Sequence, residues 1–255
     1  MTRNIVHSLY KSSDSDNTMQ YRKLGKPFIQ VSSLCLDTMT FDEQNTETEA
    51  HSQLDLATYL GIKFIDTAEL YPVPPKAETQ GLTEQYIGSW LAKRGRRDQL
   101  VIAAKIAGRA DCLPYLREGR LRLYRQNPED AIDKSLQRLQ TDYIDLYQLH
   151  WPDRQKNFFG RLAYEHAASD ASKRLPETLS ALNELINSGK VGYFGVSNET
   201  PWGLMRFIRL ADKAIQGYVE LTLQHGLDLA QMALAWISTQ SFVTSTIVGA
   251  TDLQQ

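Results

Sequence analysis

The segment from residue 100 to residue 149 contains the unit that decides the fold. It begins with the apolar run Leu100-Val-Ile-Ala-Ala-Lys105 and ends with a second run, Tyr143-Ile-Asp-Leu-Tyr-Gln-Leu149. Between them, Asn127-Pro-Glu-Asp130 predicts a helix start, because it offers a capping asparagine, a first-turn proline and two acids near the positive end of the helix dipole. The apolar face of this helix consists of Ile132, Leu136 and Leu139. The segment therefore predicts a strand, a helix and a second strand.

The same alternation continues on both sides of this unit. Further strands are predicted at 31–36, 63–66, 191–196 and 243–248. Further helices are predicted at 51–60, from 83, at 175–188 and from 201, and a helix follows Asp228. Strands that alternate with helices form parallel sheets with right-handed crossover connections. The predicted fold class is therefore α/β.

The composition is that of an ordinary soluble globular protein. The 255 residues are 42% hydrophobic and 23% charged, with a formal net charge of −2. Because the basic residues are scattered, neither a nucleic-acid partner nor a membrane partner is predicted. No apolar run is long enough to cross a bilayer and no signal sequence is evident, which predicts a cytoplasmic location. Two isolated cysteines, Cys35 and Cys112, predict neither a disulfide nor a metal site.

Polar residues follow several predicted strands, where a parallel barrel gathers its catalytic groups. They are Asp66, Lys105, His150 and the pair Ser197-Asn198, and Tyr71 follows Asp66 in the same loop. Each alone has an ordinary structural explanation, such as turn capping, extension to solvent or core packing. For Trp151, packing at the barrel rim is as good an explanation as a role in binding.

Taken together, these residues suggest proton transfer to an oxygen atom. A tyrosine hydroxyl has an ordinary pKa of about 10 and is a weak acid unless its phenolate is stabilised. A nearby lysine ammonium stabilises it, and a carboxylate paired with that lysine fixes its position and charge. A histidine beside the tyrosine can orient a carbonyl oxygen. Such general acid catalysis contributes about 10²–10⁴-fold to the rate.

The stretches that carry these residues resemble the aldo-keto reductase superfamily. The resemblance covers most of residues 19–255 and lies in Phe64-Ile-Asp-Thr-Ala-Glu-Leu-Tyr71, Ala104-Lys105, Tyr147-Gln-Leu-His150-Trp-Pro152 and Gly195-Val-Ser-Asn198. Within the superfamily, Tyr71-Pro-Val-Pro-Pro75 and Glu78-Thr-Gln-Gly-Leu-Thr-Glu84 look most like the bacterial Tas-type oxidoreductases, which are NADP(H)-dependent.

The resemblance implies a (β/α)8 TIM barrel that reduces a small-molecule carbonyl by direct hydride transfer from NADPH, with NADH as an alternative cofactor. It makes Asp66, Tyr71, Lys105 and His150 the catalytic residues, and Trp151 a wall of the substrate pocket with Tyr71 and His150. It places the following residues at the cofactor: Thr38, Met39, Asp66, Ser197, Asn198, Gly249, Ala250, Thr251 and Gln255. No metal is implied.

The chain departs from the family pattern in two ways. Only six strands are predicted, and nothing in 199–242 corresponds to strands 6 and 7 of an eight-stranded barrel. An open six-stranded sheet is one explanation. The resemblance favours another, in which residues are absent between Lys213 and Ala214 and a tail is absent after Gln255. In addition, Asp37 and Asp42 stand where relatives have glycines. A carboxylate at Asp37 is expected to weaken binding of an anionic cofactor, and the alternatives are that it engages the substrate or points to solvent.

Two further expectations concern organisation and activity. Residues 1–18 are polar and rich in serine and aspartate, which predicts a flexible leader before a single barrel domain at 19–255. The alternative to an enzyme is a regulatory protein that senses its cofactor on the same barrel, as potassium-channel β-subunits do. The sequence does not indicate the physiological substrate or the oligomeric state.

Overall fold

The computed structural model describes residues 19–24, 29–110, 112–124, 126–154, 174–211 and 246–249. Several predictions fall outside these residues: the leader at 1–18, the junction near Lys213 and Ala214, the helix after Asp228, and the cofactor contacts of Ala250, Thr251 and Gln255.

The described chain opens with an antiparallel hairpin that the sequence did not predict. Strand β1 (Tyr21–Leu24) pairs with β2 (Ile29–Ser32), and a separate strand, β3, follows at Leu34–Asp37. The predicted strand at 31–36 was therefore wrong, because the chain changes partners at Ser33. The Ser33 N–H donates to the Gln20 carbonyl, 2.8 Å away, so a contact distant in sequence sets the break.

In the part of the chain that the structure describes, six parallel strands form the main sheet, in the spatial order β7-β6-β5-β4-β3-β8. The last described strand, β8, pairs with β3, the first strand of the sheet. This confirms the prediction of parallel strands, with shifts of a few residues at their ends. After β3, the strands are β4 (Phe64–Asp66), β5 (Val101–Ile106), β6 (Ile144–Leu149), β7 (Val191–Val196) and β8 (Thr246–Gly249).

Among the described residues, five α-helices lie between or after these strands, as predicted. Thr46 and Glu49 form a reciprocal capping box that starts the first helix earlier than expected. The predicted Asn127 cap was wrong: Asn127 lies within its helix, and its amide reaches back to the Tyr124 carbonyl at 3.4 Å. The helices are α1 (Glu47–Tyr59), α2 (Leu82–Arg94), α3 (Asn127–Leu139), α4 (Leu175–Asn187) and α5 (Pro201–Ala211).

The two faces of the sheet have different environments. One face packs on the helices through residues such as Ile65, Ile102 and Tyr147. The other face begins, at the hairpin end, with Cys35, Phe64, Val101 and Ala103, which pack against Val31 of β2. Because side chains alternate along a strand, the next residues on this second face are Asp37, Asp66 and Lys105. The fold thus brings three charged side chains to the carboxyl end of one face.

Candidate active site

Lys105 is the centre of the site. Its ammonium forms an ion pair with the Asp66 carboxylate, donates to the Thr67 carbonyl at 3.0 Å and donates to the Tyr71 hydroxyl at 3.2 Å. Lys105 is 4% exposed, Asp66 is 2% exposed and Tyr71 is 6% exposed. An ion pair this deeply buried is stable only when its remaining donors and acceptors find partners. Here one ammonium bridges a carboxylate and a phenol.

The loop between β4 and α2 holds Tyr71 in place. The Tyr71 N–H donates to the Ala68 carbonyl at 3.1 Å, and its carbonyl accepts from the Gly81 N–H at 2.8 Å. Within the same loop, the Glu69 N–H donates to the Lys105 carbonyl at 3.1 Å. These backbone bonds tie the tyrosine to the strand that carries the lysine.

Burial and nearby charges act in opposite directions on these groups. Burial raises the pKa of the Tyr71 hydroxyl, and Lys105 lowers it. The carboxylates of Asp66 and Asp37 raise it again, so the net pKa lies above its ordinary value. Lys105 lowers the pKa of Tyr71, as predicted, but does not bring it below its ordinary value. Tyr71 therefore keeps its proton at neutral pH.

The lysine remains charged despite its burial. Burial lowers the pKa of Lys105, but Asp66 and Tyr71 raise it by more, so its pKa lies above the ordinary value. Burial also raises the pKa of Asp66, against the effects of Lys105 and of a hydrogen bond from Gln148. We regard Asp66 and Lys105 as an ionised pair, since the two groups are in direct contact.

His150 faces the tyrosine from the end of β6. The two rings meet edge to face, with centroids 5.7 Å apart and an interplanar angle of 80°. Burial and the Lys105 charge lower the pKa of His150 to about 3, so the imidazole is neutral at physiological pH. Among the described residues, no group hydrogen-bonds to its buried Nδ1 atom. A neutral imidazole with an unused nitrogen is suited to contact a substrate oxygen.

Ser197 and Asn198 form the neighbouring edge of the site, after β7. The Asn198 amide donates to the His150 carbonyl at 2.9 Å and to the Ser197 hydroxyl at 3.1 Å. Asn198 has φ of 50°, in the left-handed region that asparagine tolerates better than most residues. Asn198 is exposed and Ser197 is half-buried, so both polar side chains are within reach of a bound molecule.

Two predicted cofactor residues, Thr38 and Met39, follow β3 and hydrogen-bond to the backbone of β4 and of the loop after it. Thr38 is fully buried, and both its N–H and its hydroxyl donate to the Asp66 carbonyl, at 3.1 Å and 2.8 Å. The half-buried Met39 accepts from the Val73 N–H at 2.9 Å. Gly249 ends β8 opposite Asp37 in the sheet register. These three residues lie at the same sheet edge as the site.

Trp151 is placed by packing. It is 1% exposed, its indole N–H donates to the Arg109 carbonyl at 3.0 Å, and its ring lies 4.9 Å from that of His150. A Cβ atom on Gly108 would lie 2.3 Å from the Trp151 carbonyl, so this approach requires glycine. Trp151 also borders a cleft with Asp153, Arg154 and Ser197. Both packing and a pocket wall are consistent with this position.

Sequence reasoning missed two groups that support the site. Gln148 donates to the Asp66 carboxylate at 3.1 Å from within β6, where it is the register partner of Lys105. Glu69 is 2% exposed and pairs with Arg117 at 3.1 Å. A glutamine two residues before His150 in a predicted strand was an available signal for the first. No local pattern identifies the second, because its partner is distant in sequence.

The chain is similar to several oxidoreductases. Protein Tas of Escherichia coli (strain K12) is 39% identical over 314 aligned positions, which cover 93% of this chain and 91% of Tas. Because this alignment is longer than the chain, Tas contains residues that have no counterpart here. The uncharacterized oxidoreductase YrpG of Bacillus subtilis (strain 168) is 36% identical, covering 76% of this chain and 54% of YrpG.

A solved structure agrees with the sequence matches. The holo form of the aldo-keto reductase AKR11C1 from Bacillus halodurans superposes with a TM-score of 0.58 at 28% identity, and the match covers 82% of this chain and 64% of that structure. The family fold is a (β/α)8 barrel, which confirms the predicted fold class, and its members generally use NAD(P)H. The profile of the aldo/keto reductase family matches residues 33–214. The chain therefore belongs to the aldo/keto reductase family of oxidoreductases.

Proposed function

We propose that the protein reduces small-molecule aldehydes or ketones with NADPH, using Tyr71 as the proton donor. The observation that supports this most directly is the contact of one buried ammonium, that of Lys105, with both the Asp66 carboxylate and the Tyr71 hydroxyl. A purely structural ion pair has no need of a third, protonated partner beside a neutral histidine.

The chemistry follows from the charges of these groups. Tyr71 holds its proton until negative charge develops on the carbonyl oxygen, and it then transfers that proton to the oxygen to give an alcohol. The remaining phenolate is stabilised by the Lys105 ammonium at 3.2 Å. Asp66 keeps the lysine charged and in place. His150, being neutral, can donate one hydrogen bond to the same oxygen without competing for its proton.

The polar edge beside His150 fits a nicotinamide carboxamide. Ser197 and Asn198 offer a hydroxyl and an amide, which can pair with the donor and acceptor of a carboxamide group. NADPH, when bound, supplies the hydride. The other predicted cofactor residues among those described are Thr38, Met39 and Gly249. They lie at the same carboxyl edge of the sheet as Ser197 and Asn198. The preference for NADPH over NADH follows from the resemblance to Tas-type enzymes.

The test separates cofactor binding from turnover. Fluorescence titration of the purified protein with NADPH and with NADH measures binding, and loss of NADPH absorbance across a panel of aldehydes and ketones measures reduction. We expect saturable NADPH binding that is tighter than NADH binding, together with turnover of at least one carbonyl. Part of Tas has no counterpart in this chain, so cofactor binding is itself under test. A protein that binds neither nucleotide would refute the proposal. Binding without turnover of any carbonyl would favour the cofactor-sensing alternative.

A further inference from the structure

Asp37 is a charged residue at the site that the mechanism above does not use. It ends β3, where its Cα is the register partner of Asp66 in β4 and of Gly249 in β8. It follows Cys35 by two positions, and Cys35 packs with Phe64 and Ala103 on the second face of the sheet, the one that carries Lys105. Asp37 therefore belongs to the same face and the same end of the sheet as Asp66 and Lys105.

The carboxylate of Asp37 has a fixed orientation. Its Oδ1 atom accepts the Met39 N–H at 3.0 Å, and the residue is half-buried. Within the part of the chain that the structure describes, no lysine, arginine or histidine forms a salt bridge with it. The charged groups that act on it are those of the site, namely Asp66 and Lys105. The Lys105 ammonium is thus in contact with the Asp66 carboxylate and acts on the Asp37 carboxylate from beyond salt-bridge distance.

The electrostatic effects on each group agree with this placement. Burial raises the pKa of Asp37, the Met39 N–H lowers it, Asp66 raises it and Lys105 lowers it, with a net rise. Asp37 in turn contributes to the raised pKa of Tyr71 and of Cys35. The titratable or charged groups that face Asp37 are Cys35 on β3, Asp66 on β4, Lys105 on β5 and Tyr71 in the following loop.

We propose that Asp37 is an additional positioning residue of the reduction, whose carboxylate acts with that of Asp66 on the Lys105 ammonium that donates to Tyr71. This inference rests on the proposed reductase function. Its consequence is chemical: a second negative charge disfavours formation of the Tyr71 phenolate, so the tyrosine releases its proton less readily than it would beside Asp66 alone.

The Asp37→Asn variant separates this effect from a role in the turn. Asparagine keeps an Oδ1 atom to accept the Met39 N–H but removes the negative charge. Asp42→Asn is a matched control, because Asp42 lies in the same loop but accepts the Tyr86 hydroxyl at 2.8 Å instead of facing Lys105. The control also removes one carboxylate from the region, so net charge is equal in the two variants.

The first measurement needs neither cofactor nor turnover. Carboxyl-carbon NMR follows the titration of Asp37, whose resonance is identified by its loss in Asp37→Asn. We expect Asp66→Asn to lower the Asp37 midpoint by about one pH unit, since a neighbouring like charge is removed. Adding Lys105→Met to Asp66→Asn should raise the midpoint again. An Asp37 midpoint that Asp66→Asn leaves unchanged overturns the coupling, even if the double variant does not fold.

The second measurement is the pH profile of carbonyl reduction. Asp37→Asn should move the alkaline midpoint of kcat down by about one pH unit or less, with little change in the KM for the carbonyl, whereas Asp42→Asn should move neither. A kcat profile that Asp37→Asn does not shift overturns the positioning role. A protein that shows the NMR coupling but reduces no carbonyl would refute the proposed function alone, so the two failures are distinguishable.

Discussion

Two buried ion pairs have their carboxylates at the end of β4 and in the loop after it, at Asp66 and Glu69, but differ in what surrounds them. In one, the Lys105 ammonium meets Asp66 and has a further donor directed at the Tyr71 hydroxyl. In the other, Arg117 meets Glu69 at 3.1 Å and donates to the backbone carbonyls of Ala107 and Arg122 at 2.5 Å and 3.2 Å.

Under the proposed function, the difference separates a reactive pair from a structural one. Glu69 also accepts the Ala107 N–H at 2.6 Å, so the other hydrogen bonds of the second pair join its two side chains to backbone groups. In the first pair, the Lys105 ammonium carries its charge on one atom with rotatable donors, and it donates to the Tyr71 hydroxyl. This hydroxyl can itself gain and lose a proton. Depth of burial is similar in the two pairs and does not distinguish them.

The largest expected effect is on turnover at the first pair. Tyr71→Phe removes the proton donor and should lower kcat for carbonyl reduction by about 10²–10⁴-fold. The variant should be less stable by about 1.5–3 kcal/mol, because the hydrogen bond that is lost is one to the charged Lys105 ammonium. Steady-state kinetics and urea unfolding of the same preparations check both expectations. A variant with nearly normal kcat would show that Tyr71 is not the acid.

The second effect is on stability at the other pair. Arg117→Met leaves the Glu69 carboxylate buried without its cation, and such truncations lower the free energy of unfolding by about 3–5 kcal/mol. Urea denaturation measures this change. The matched control is the double variant Glu69→Gln with Arg117→Met, which removes both charges while keeping an acceptor for the Ala107 N–H. The double variant should recover most of the loss, and equal destabilisation in both would contradict the comparison.

The smallest effect concerns a third, looser pair. Burial raises the pKa of Asp153 to about 6, and Arg122 opposes the rise only partly, because its nearest nitrogen is 3.9 Å away. The folded state therefore binds this proton more tightly than the unfolded state, and the carboxyl loses stabilising effect as pH rises toward and through its folded pKa. Lowering the pH from about 7 to about 4.5 should raise the Tm of the wild type relative to Asp153→Asn. A constant Tm difference would show that Asp153 is not destabilised by burial.

The sequence predicted the grouping of the candidate site residues because parallel strands end at the same edge of a sheet. Asp66, Lys105 and His150 each follow an apolar run, so their neighbourhood follows from the fold class alone. The prediction of a single strand at 31–36 was wrong because the chain changes its pairing partner within this segment. Its residues contain no turn signal that divides them, and only the pairing of Ser32 with Tyr21 and of Ser33 with Gln20 shows where the hairpin ends.

The sequence by itself determined the alternation of parallel strands and helices and which residues reach the carboxyl ends of the strands, since both follow from periodicity and chain order. The tertiary structure decided the partners: Gln148 with Asp66, Arg117 with Glu69, and Asp37 on the same face as Lys105. These depend on strand register and on loops that meet in space. Charges in a buried site act over short distances that no local pattern records.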